Sequence, residues 1–96
     1  MSTKEAYKQK IEAELELAQA KLAEFKAQAK IFTADARIQH AKQVDEIEQR
    51  VDATKAKLKE MGEASEDAWE QFKDGVESAW GALSAAIRNA ATKFKE

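Results

Sequence analysis

The residues of this chain that could bind a metal ion lie around His40, its only histidine. Asp45, Glu48 and Asp52 follow it in the run DEIEQRVD, and zinc accepts both carboxylate and imidazole ligands. Metal sites inside helical bundles use a Glu-x-x-His pair, which places both ligands on one helix face. The residue three before His40 is Arg37, so this pair is missing. Ligation at His40 would need carboxylates from another chain, and we expect no metal site.

Other patterns that carry chemistry are also missing from the sequence. There is no cysteine, which excludes disulfides and thiolate metal sites. No G-x-S-x-G, P-loop or dinucleotide-binding glycine pattern occurs. The acidic run DEIEQRVD is typical of a solvated helix face with pairs of charges four residues apart. We therefore predict a protein that is not an enzyme and has no catalytic residues and no cofactor.

The charge and hydropathy of the chain exclude two further classes of protein. Charged residues make up 35% of the sequence, yet the net charge is only −2, whereas nonspecific nucleic-acid binding needs a basic excess. The sequence contains no run of eighteen apolar residues, which is about the length that a membrane-spanning helix needs. The N-terminal stretch is charged throughout and lacks the apolar core of a signal peptide. We expect a cytoplasmic protein that binds no nucleic acid.

The elements that position these residues are helices. The chain has no proline, its three glycines all follow Met61, and good helix formers dominate. Apolar positions alternate in steps of four and three, which is a heptad pattern. The first such seam is Ile11, Leu15, Ala18, Leu22, Phe25, Ala29, Phe32 and Ala36, and the second is Val44, Ile47, Val51, Thr54, Leu58 and Met61.

The interval between the two seams decides the predicted architecture. Ala36 and Val44 are eight residues apart, one more than a heptad, and this extra residue keeps the stripe on one face of a straight helix. We predict an all-α helical hairpin in a single domain, 1–96. It has a long amphipathic helix over about 3–61, a turn at about 62–64 and a shorter antiparallel helix over about 65–95. A break near Thr33 to Asp35, both possible N-caps, would instead give a three-helix bundle.

Three polar or small residues have predicted local roles. Gly62 follows the second seam, where a left-handed C-cap is expected. Ser65 can cap the helix that comes next. Thr54 is the polar member of the second seam, and its hydroxyl must bond a backbone carbonyl if the position is buried.

The C-terminal helix repeats its apolar pattern every eleven residues. Eleven residues make about three turns, so the repeat keeps its large side chains on one helix face. We expect both tryptophans of the repeat to pack in the core. The two copies are Trp69, Phe72 and Val76, and then Trp80, Leu83 and Ile87.

An alternative role for this helix is binding to a membrane surface. The segment from Ser78 to Lys95 contains basic residues and no acidic one. A basic amphipathic helix can lie in the lipid interface with its apolar face inserted. The residues that would contact lipid or a partner are Trp80, Leu83, Ile87 and Phe94.

Apolar residues outside the main seam predict self-association. Leu17, Ile31 and Ile38 lie on roughly the opposite face of the long helix. The half of that helix before the break region has no second helix to cover its seam, which leaves Leu22 and Phe25 uncovered. Exposed apolar surface of this extent marks an interface. We expect a homodimer or higher homo-oligomer, paired antiparallel into a four-helix core, with these five residues in the interface.

The block ASEDAWEQFKDGVESAWGAL, after a helix rich in Lys, Glu and Ala, resembles a family of short bacterial coiled-coil proteins. Members are catalogued as uncharacterised or as stress-response proteins. The resemblance implies a helical hairpin and a bacterial origin, and it supplies no catalytic residue. With the seams, it predicts a structural or interaction protein that acts in stress tolerance through self-association and through binding of a protein partner of unknown identity. The pattern is carried by Ala64, Ser65, Asp67, Ala68, Trp69, Phe72, Lys73, Gly75, Val76, Ala79 and Trp80.

Overall fold

The computed structural model describes residues 2–93, which form a bundle of three helices measuring 52 by 19 by 17 Å between Cα atoms. The helices are α1 (Thr3–Gln28), α2 (Ala34–Glu63) and α3 (Glu70–Lys93), and a 3-10 turn (Ala29–Ile31) lies between the first two. No strand occurs within residues 2–93. The predicted all-α class is confirmed.

The prediction of one continuous helix over 3–61 is wrong, because the chain turns between α1 and α2. Phe32 has an extended backbone with φ −93° and ψ 150°. Thr33 is extended as well, and its Oγ1 accepts a hydrogen bond of 3.3 Å from the backbone N–H of Ala36. This is the N-cap expected for the alternative architecture, and the three-helix bundle is the fold observed.

A basic side chain from α2 closes this turn. Arg37 donates from Nε to the carbonyl of Ala29 at 3.0 Å and from Nη2 to the carbonyl of Lys30 at 3.5 Å. The last carbonyls of a helix have no partner within the helix and carry the negative end of its dipole. Arg37 therefore stabilises the end of the preceding helix while it fixes the direction in which α2 leaves.

The second turn is closed in the same way, and it corrects the prediction for Gly62. No glycine within residues 2–93 has a positive φ, and α2 continues through Gly62 to Glu63. Ala64 then leaves the helix with an extended backbone. Lys4 Nζ donates to the carbonyls of Gly62 at 3.3 Å and Ala64 at 3.0 Å, so a cation from α1 caps α2. A left-handed glycine is not needed.

Ser65 begins a turn that leads into α3, at the position where the sequence predicts the N-cap of the helix itself. Its Oγ accepts a hydrogen bond of 3.2 Å from the N–H of Ala68, and its carbonyl accepts from the N–H groups of Ala68 and Trp69. A turn over residues 66–69 follows, so α3 starts at Glu70, five residues later than predicted.

The core joins both seams to the apolar stripe of α3. Thr54 is fully buried, and its hydroxyl donates to the carbonyl of Arg50 at 2.8 Å, which confirms the predicted compensation. The buried apolar residues include Ile11, Leu15, Ala18, Leu22, Phe25, Ile47, Val51, Leu58, Met61, Trp69, Val76, Leu83, Ala86 and Ala90.

The three helices do not pack equally. α3 lies mainly on α2 and meets α1 over a smaller area. An ion pair of 3.1 Å between Lys26 Nζ and Glu48 Oε2 connects α1 to α2. The unequal packing leaves a groove between α1 and α3 on the surface of the bundle.

Candidate functional site

The groove between α1 and α3 brings together residues from two surfaces that the sequence predicted separately. Leu17 belongs to the predicted oligomer interface, while Trp80 and Ile87 belong to the predicted lipid face. The groove has a volume of about 280 Å³ and mostly apolar walls. Its lining residues are Glu14, Leu17, Ala18, Lys21, Trp80, Ser84 and Ile87.

Leu17 is the most exposed apolar side chain of this groove, with 73% of its surface accessible. The residue after it, Ala18, is buried in the core. Consecutive residues of a helix point about 100° apart, and Leu17 lines the groove together with α3 residues, so it lies on the side of α1 that borders α3. Trp80 and Ile87 are half-buried on the opposite wall. A single exposed leucine is ordinary, but an apolar groove with a leucine at its mouth is typical of a docking surface.

Two of the five residues assigned to the oligomer interface are already covered by this chain. Leu22 is 7% exposed and Phe25 is 3% exposed. Their assignment relied on a seam without a covering helix, and the turn at Phe32 and Thr33 folds α2 back along that seam. The prediction of an uncovered seam is therefore wrong, and these two side chains are core residues.

Ile31 and Ile38 are exposed, at 78% and 56% of their surface. Ile31 lies in the 3-10 turn and Ile38 in the second turn of α2. Leu17 lies on α1, so the break distributes the predicted row over three elements rather than along one helix face. The prediction that these three apolar residues are exposed is confirmed, and the prediction that they share one helix face is wrong.

The predicted lipid face is also divided. Leu83 is fully buried, so it belongs to the core, whereas Trp80 and Ile87 are half-buried at the groove. Phe94 lies outside the described residues. Trp69 is buried as expected, while Trp80 lies at the edge of the core.

A second cavity of about 440 Å³ continues the groove towards the start of α1 and shares Glu14 and Trp80 with it. Tyr7 lies here, with its ring centroid 6.0 Å from that of Trp69 and with Lys73 Nζ 5.1 Å from its own centroid. The second distance is that of a cation–π contact. Lys10 and Glu77 complete the polar lining.

The hydroxyl of Tyr7 is buried, and no hydrogen-bond partner for it occurs among residues 2–93. Burial raises the pKa of this hydroxyl, and the negative charges of Glu77, Glu14 and Asp74 raise it further. A phenol held neutral in this way is a poor base and a poor nucleophile. The sequence pattern gives no signal for the role of Tyr7, although this residue lies four positions before Ile11 and so on the same face of α1.

A third cavity, of about 550 Å³, lies between α1 and α2 on another side of α1. Its mouth carries lysines and glutamates over two buried leucines. This arrangement is that of a solvated helix face. The lining residues are Lys8, Glu12, Leu15, Glu16, Lys55, Leu58 and Lys59.

His40 does not take part in a metal-binding cluster in the described part of the chain. Its side chain is buried, and its ring packs edge-on against Phe32 with the centroids 5.0 Å apart. Within residues 2–93, no group of three or more His, Cys, Asp or Glu side chains is arranged to hold a metal ion. In the same range, no helix combines the length and the apolar character that crossing a membrane requires.

Comparison with known proteins adds no assignment. No protein-family model matches the chain, and no curated protein or solved structure matches it. The resemblance to short bacterial coiled-coil proteins therefore stays a prediction.

Proposed function

We propose that this protein is a non-enzymatic helical interaction protein that self-associates through the groove between α1 and α3 and binds a protein partner. The observation that carries the proposal is the exposed Leu17 at the mouth of an apolar groove whose other wall contains Trp80 and Ile87. Aromatic and aliphatic side chains in a groove with a polar rim are typical of protein interfaces. The cytoplasm is the expected compartment, and the stress-related role rests on the sequence resemblance alone.

Sedimentation equilibrium over a wide range of protein concentration tests this function. The wild-type chain has a mass of 10.7 kDa and should sediment as a dimer or higher oligomer. Leu17→Lys places a charge in the apolar contact and should shift the protein towards monomer without loss of helicity. Ala23→Lys is the matched control, because Ala23 is exposed on another side of α1. Wild-type protein that stays monomeric at every concentration would refute self-association.

A second candidate function is binding to a membrane surface through α3. Trp80 and Ile87 are the observation that favours it, because both are partly accessible on a helix whose last turns carry Arg88 and Lys93 and no acid. Flotation with neutral and anionic liposomes tests it. Co-flotation that is lost in Trp80→Ser would support lipid binding, and protein that stays at the bottom of the gradient would refute it.

A further inference from the structure

We propose that the groove between α1 and α3 receives a second copy of this chain in an antiparallel arrangement, related by a two-fold axis near Leu17. This inference rests on the proposed self-association, and it adds the face, the orientation and the pairs of charges that meet. A two-fold axis brings the same surface of both copies together, so the surface must complement itself.

The charges along α1 have this property. Five residues follow steps of four and three, so they share the face of the helix that borders α3. From the N-terminal end their character is basic, acidic, apolar, basic and acidic. The residues are Lys10, Glu14, Leu17, Lys21 and Glu24.

Reversal of this row inverts the sign at every charged position. An antiparallel copy centred on Leu17 therefore places Glu14 beside Lys21 of the second copy, and Lys10 beside Glu24 of the second copy. The same contacts form twice because of the symmetry. In a parallel arrangement each charged residue would face the same residue of the second copy, and the two like charges would repel each other. The row thus selects one orientation.

The exposed edge of α3 beside the groove has the same symmetry. Glu77, Gly81, Ser84 and Arg88 follow steps of four, three and four, with an acid at one end, a base at the other and small residues between. An antiparallel copy places Glu77 opposite Arg88. Small residues at the centre allow two helices to approach closely.

Gly81 supplies an independent observation for a close approach. Glycine inside a helix is less stable than alanine, and Gly81 lies in the middle of α3 with no positive φ. A Cβ added there would meet no atom of residues 2–93 within 4 Å, so packing within the chain does not require glycine. A second helix packed closely against this position would explain the glycine.

The available surface is large enough for a stable dimer. Each partner of a standard interface contributes about 800 Å². The bundle measures 52 by 19 by 17 Å between Cα atoms, so each of its long sides has roughly the area that such an interface needs. Two copies would form a four-helix core, in which α1 and α3 of one chain face those of the other and Leu17, Trp80 and Ile87 of each chain lie at the centre.

Charge reversal tests the arrangement. Glu14→Lys alone, or Lys21→Glu alone, puts like charges at both symmetry-related contacts and should raise the dimer dissociation constant at least about tenfold. Both changes in one chain should restore the wild-type value, because the pairs are then only exchanged. A mixture of the two single variants should form a mixed dimer. Circular dichroism would check that each variant is folded.

Glu12→Lys and Lys55→Glu are the matched controls, because they make the same charge changes at the cavity between α1 and α2. Single variants of Glu14 and Lys21 that dimerise as the wild type does would overturn this face while leaving self-association intact. A wild-type protein that remains monomeric, including one that binds liposomes as a monomer, would overturn both proposals.

Cross-linking gives a direct test of proximity. The chain has no cysteine, so a single introduced thiol reports on one position. Leu17→Cys should join two chains through a short bis-maleimide, since the two copies of residue 17 lie at the axis. Ala23→Cys, on another side of α1, should not. A dimer in which residue 17 fails to cross-link, or cross-links no better than residue 23, contradicts the proposed axis.

Discussion

Trp69 is the residue whose removal should cost the bundle most, because its indole is buried where the start of α3 meets α1. Trp69→Ala should lower the free energy of unfolding by about 3–5 kcal/mol, as expected for truncation of a buried aromatic side chain. Chemical denaturation followed by circular dichroism measures this. Phe72→Ala is the control, since Phe72 is the exposed aromatic of the same repeat. Similar losses in the two variants would contradict the burial.

Tyr7 should make the stability depend on pH in the alkaline range. Its folded-state pKa is raised above the ordinary value of 10.0, so the neutral phenol is favoured by folding. This contribution is fully present below pH 10 and is lost as the pH rises through the folded pKa. Tyr7 is the only tyrosine, so tyrosinate absorbance reports on it alone. If Tyr7 ionises at the pH of a free tyrosine, its hydroxyl does not have a raised pKa. If the Tyr7→Phe variant loses stability at alkaline pH as much as the wild type does, Tyr7 is not the cause of the pH dependence.

A single side chain can be predicted from the sequence wherever it departs from the apolar pattern of its helix. Thr54 was found because it is polar within an apolar seam, and Leu17 because it is apolar outside one. Tyr7 lies on the same helix face as the seam, but its surroundings are formed by residues more than sixty positions away in the chain, among them Trp69 and Lys73. Periodicity within one helix contains no information on such contacts.

The break between α1 and α2 does not follow from the apolar pattern of the sequence. The eight-residue interval from Ala36 to Val44 fits a straight helix as well as it fits two helices, and no glycine or proline marks a turn. Burial between distant parts of the chain favours two helices over one, because α2 covers Leu22 and Phe25 when it folds back along α1. Arg37 then stabilises the end of α1 across the turn.

Gly62 gives a test that separates the two descriptions of the second turn. In the bundle it is helical, and an added Cβ would lie 3.7 Å from Lys8 Cε, an ordinary contact. Gly62→Ala should therefore raise the free energy of unfolding by about 0.5–1 kcal/mol, because alanine is favoured inside helices. A left-handed cap would give the opposite sign, since alanine is strained there. Thermal or urea denaturation decides between them.

The three helices of the bundle pack against one another unequally, and the groove between α1 and α3 follows from this difference. α3 covers α2 more fully than it covers α1. The apolar stripe of the eleven-residue repeat is therefore only partly buried within one chain. The sequence predicted a repeat with a wide apolar face. It did not predict which part stays accessible, because that depends on how three helices divide the face.

Salt should weaken the association if opposite charges meet across the two-fold axis. The four charged residues of the row on α1 are accessible to solvent or partly so, and such pairs are screened over about 10 Å at moderate ionic strength. The dimer dissociation constant should therefore rise with added sodium chloride, while the helicity of the chain stays constant. An association that is unchanged or strengthened by salt would indicate an interface held by apolar contacts alone.

The turn between α1 and α2 has a consequence for how copies of this chain can exchange parts. Phe32 and Thr33 are extended in the bundle, yet neither is a residue that forbids a helix. A chain whose turn straightens presents the seam of α1 to the α2 and α3 of another chain, which is the geometry of domain swapping. A swapped dimer buries the same core as the monomer, is longer in X-ray scattering and is indifferent to Glu14→Lys. The two kinds of dimer are thus separable by shape and by charge.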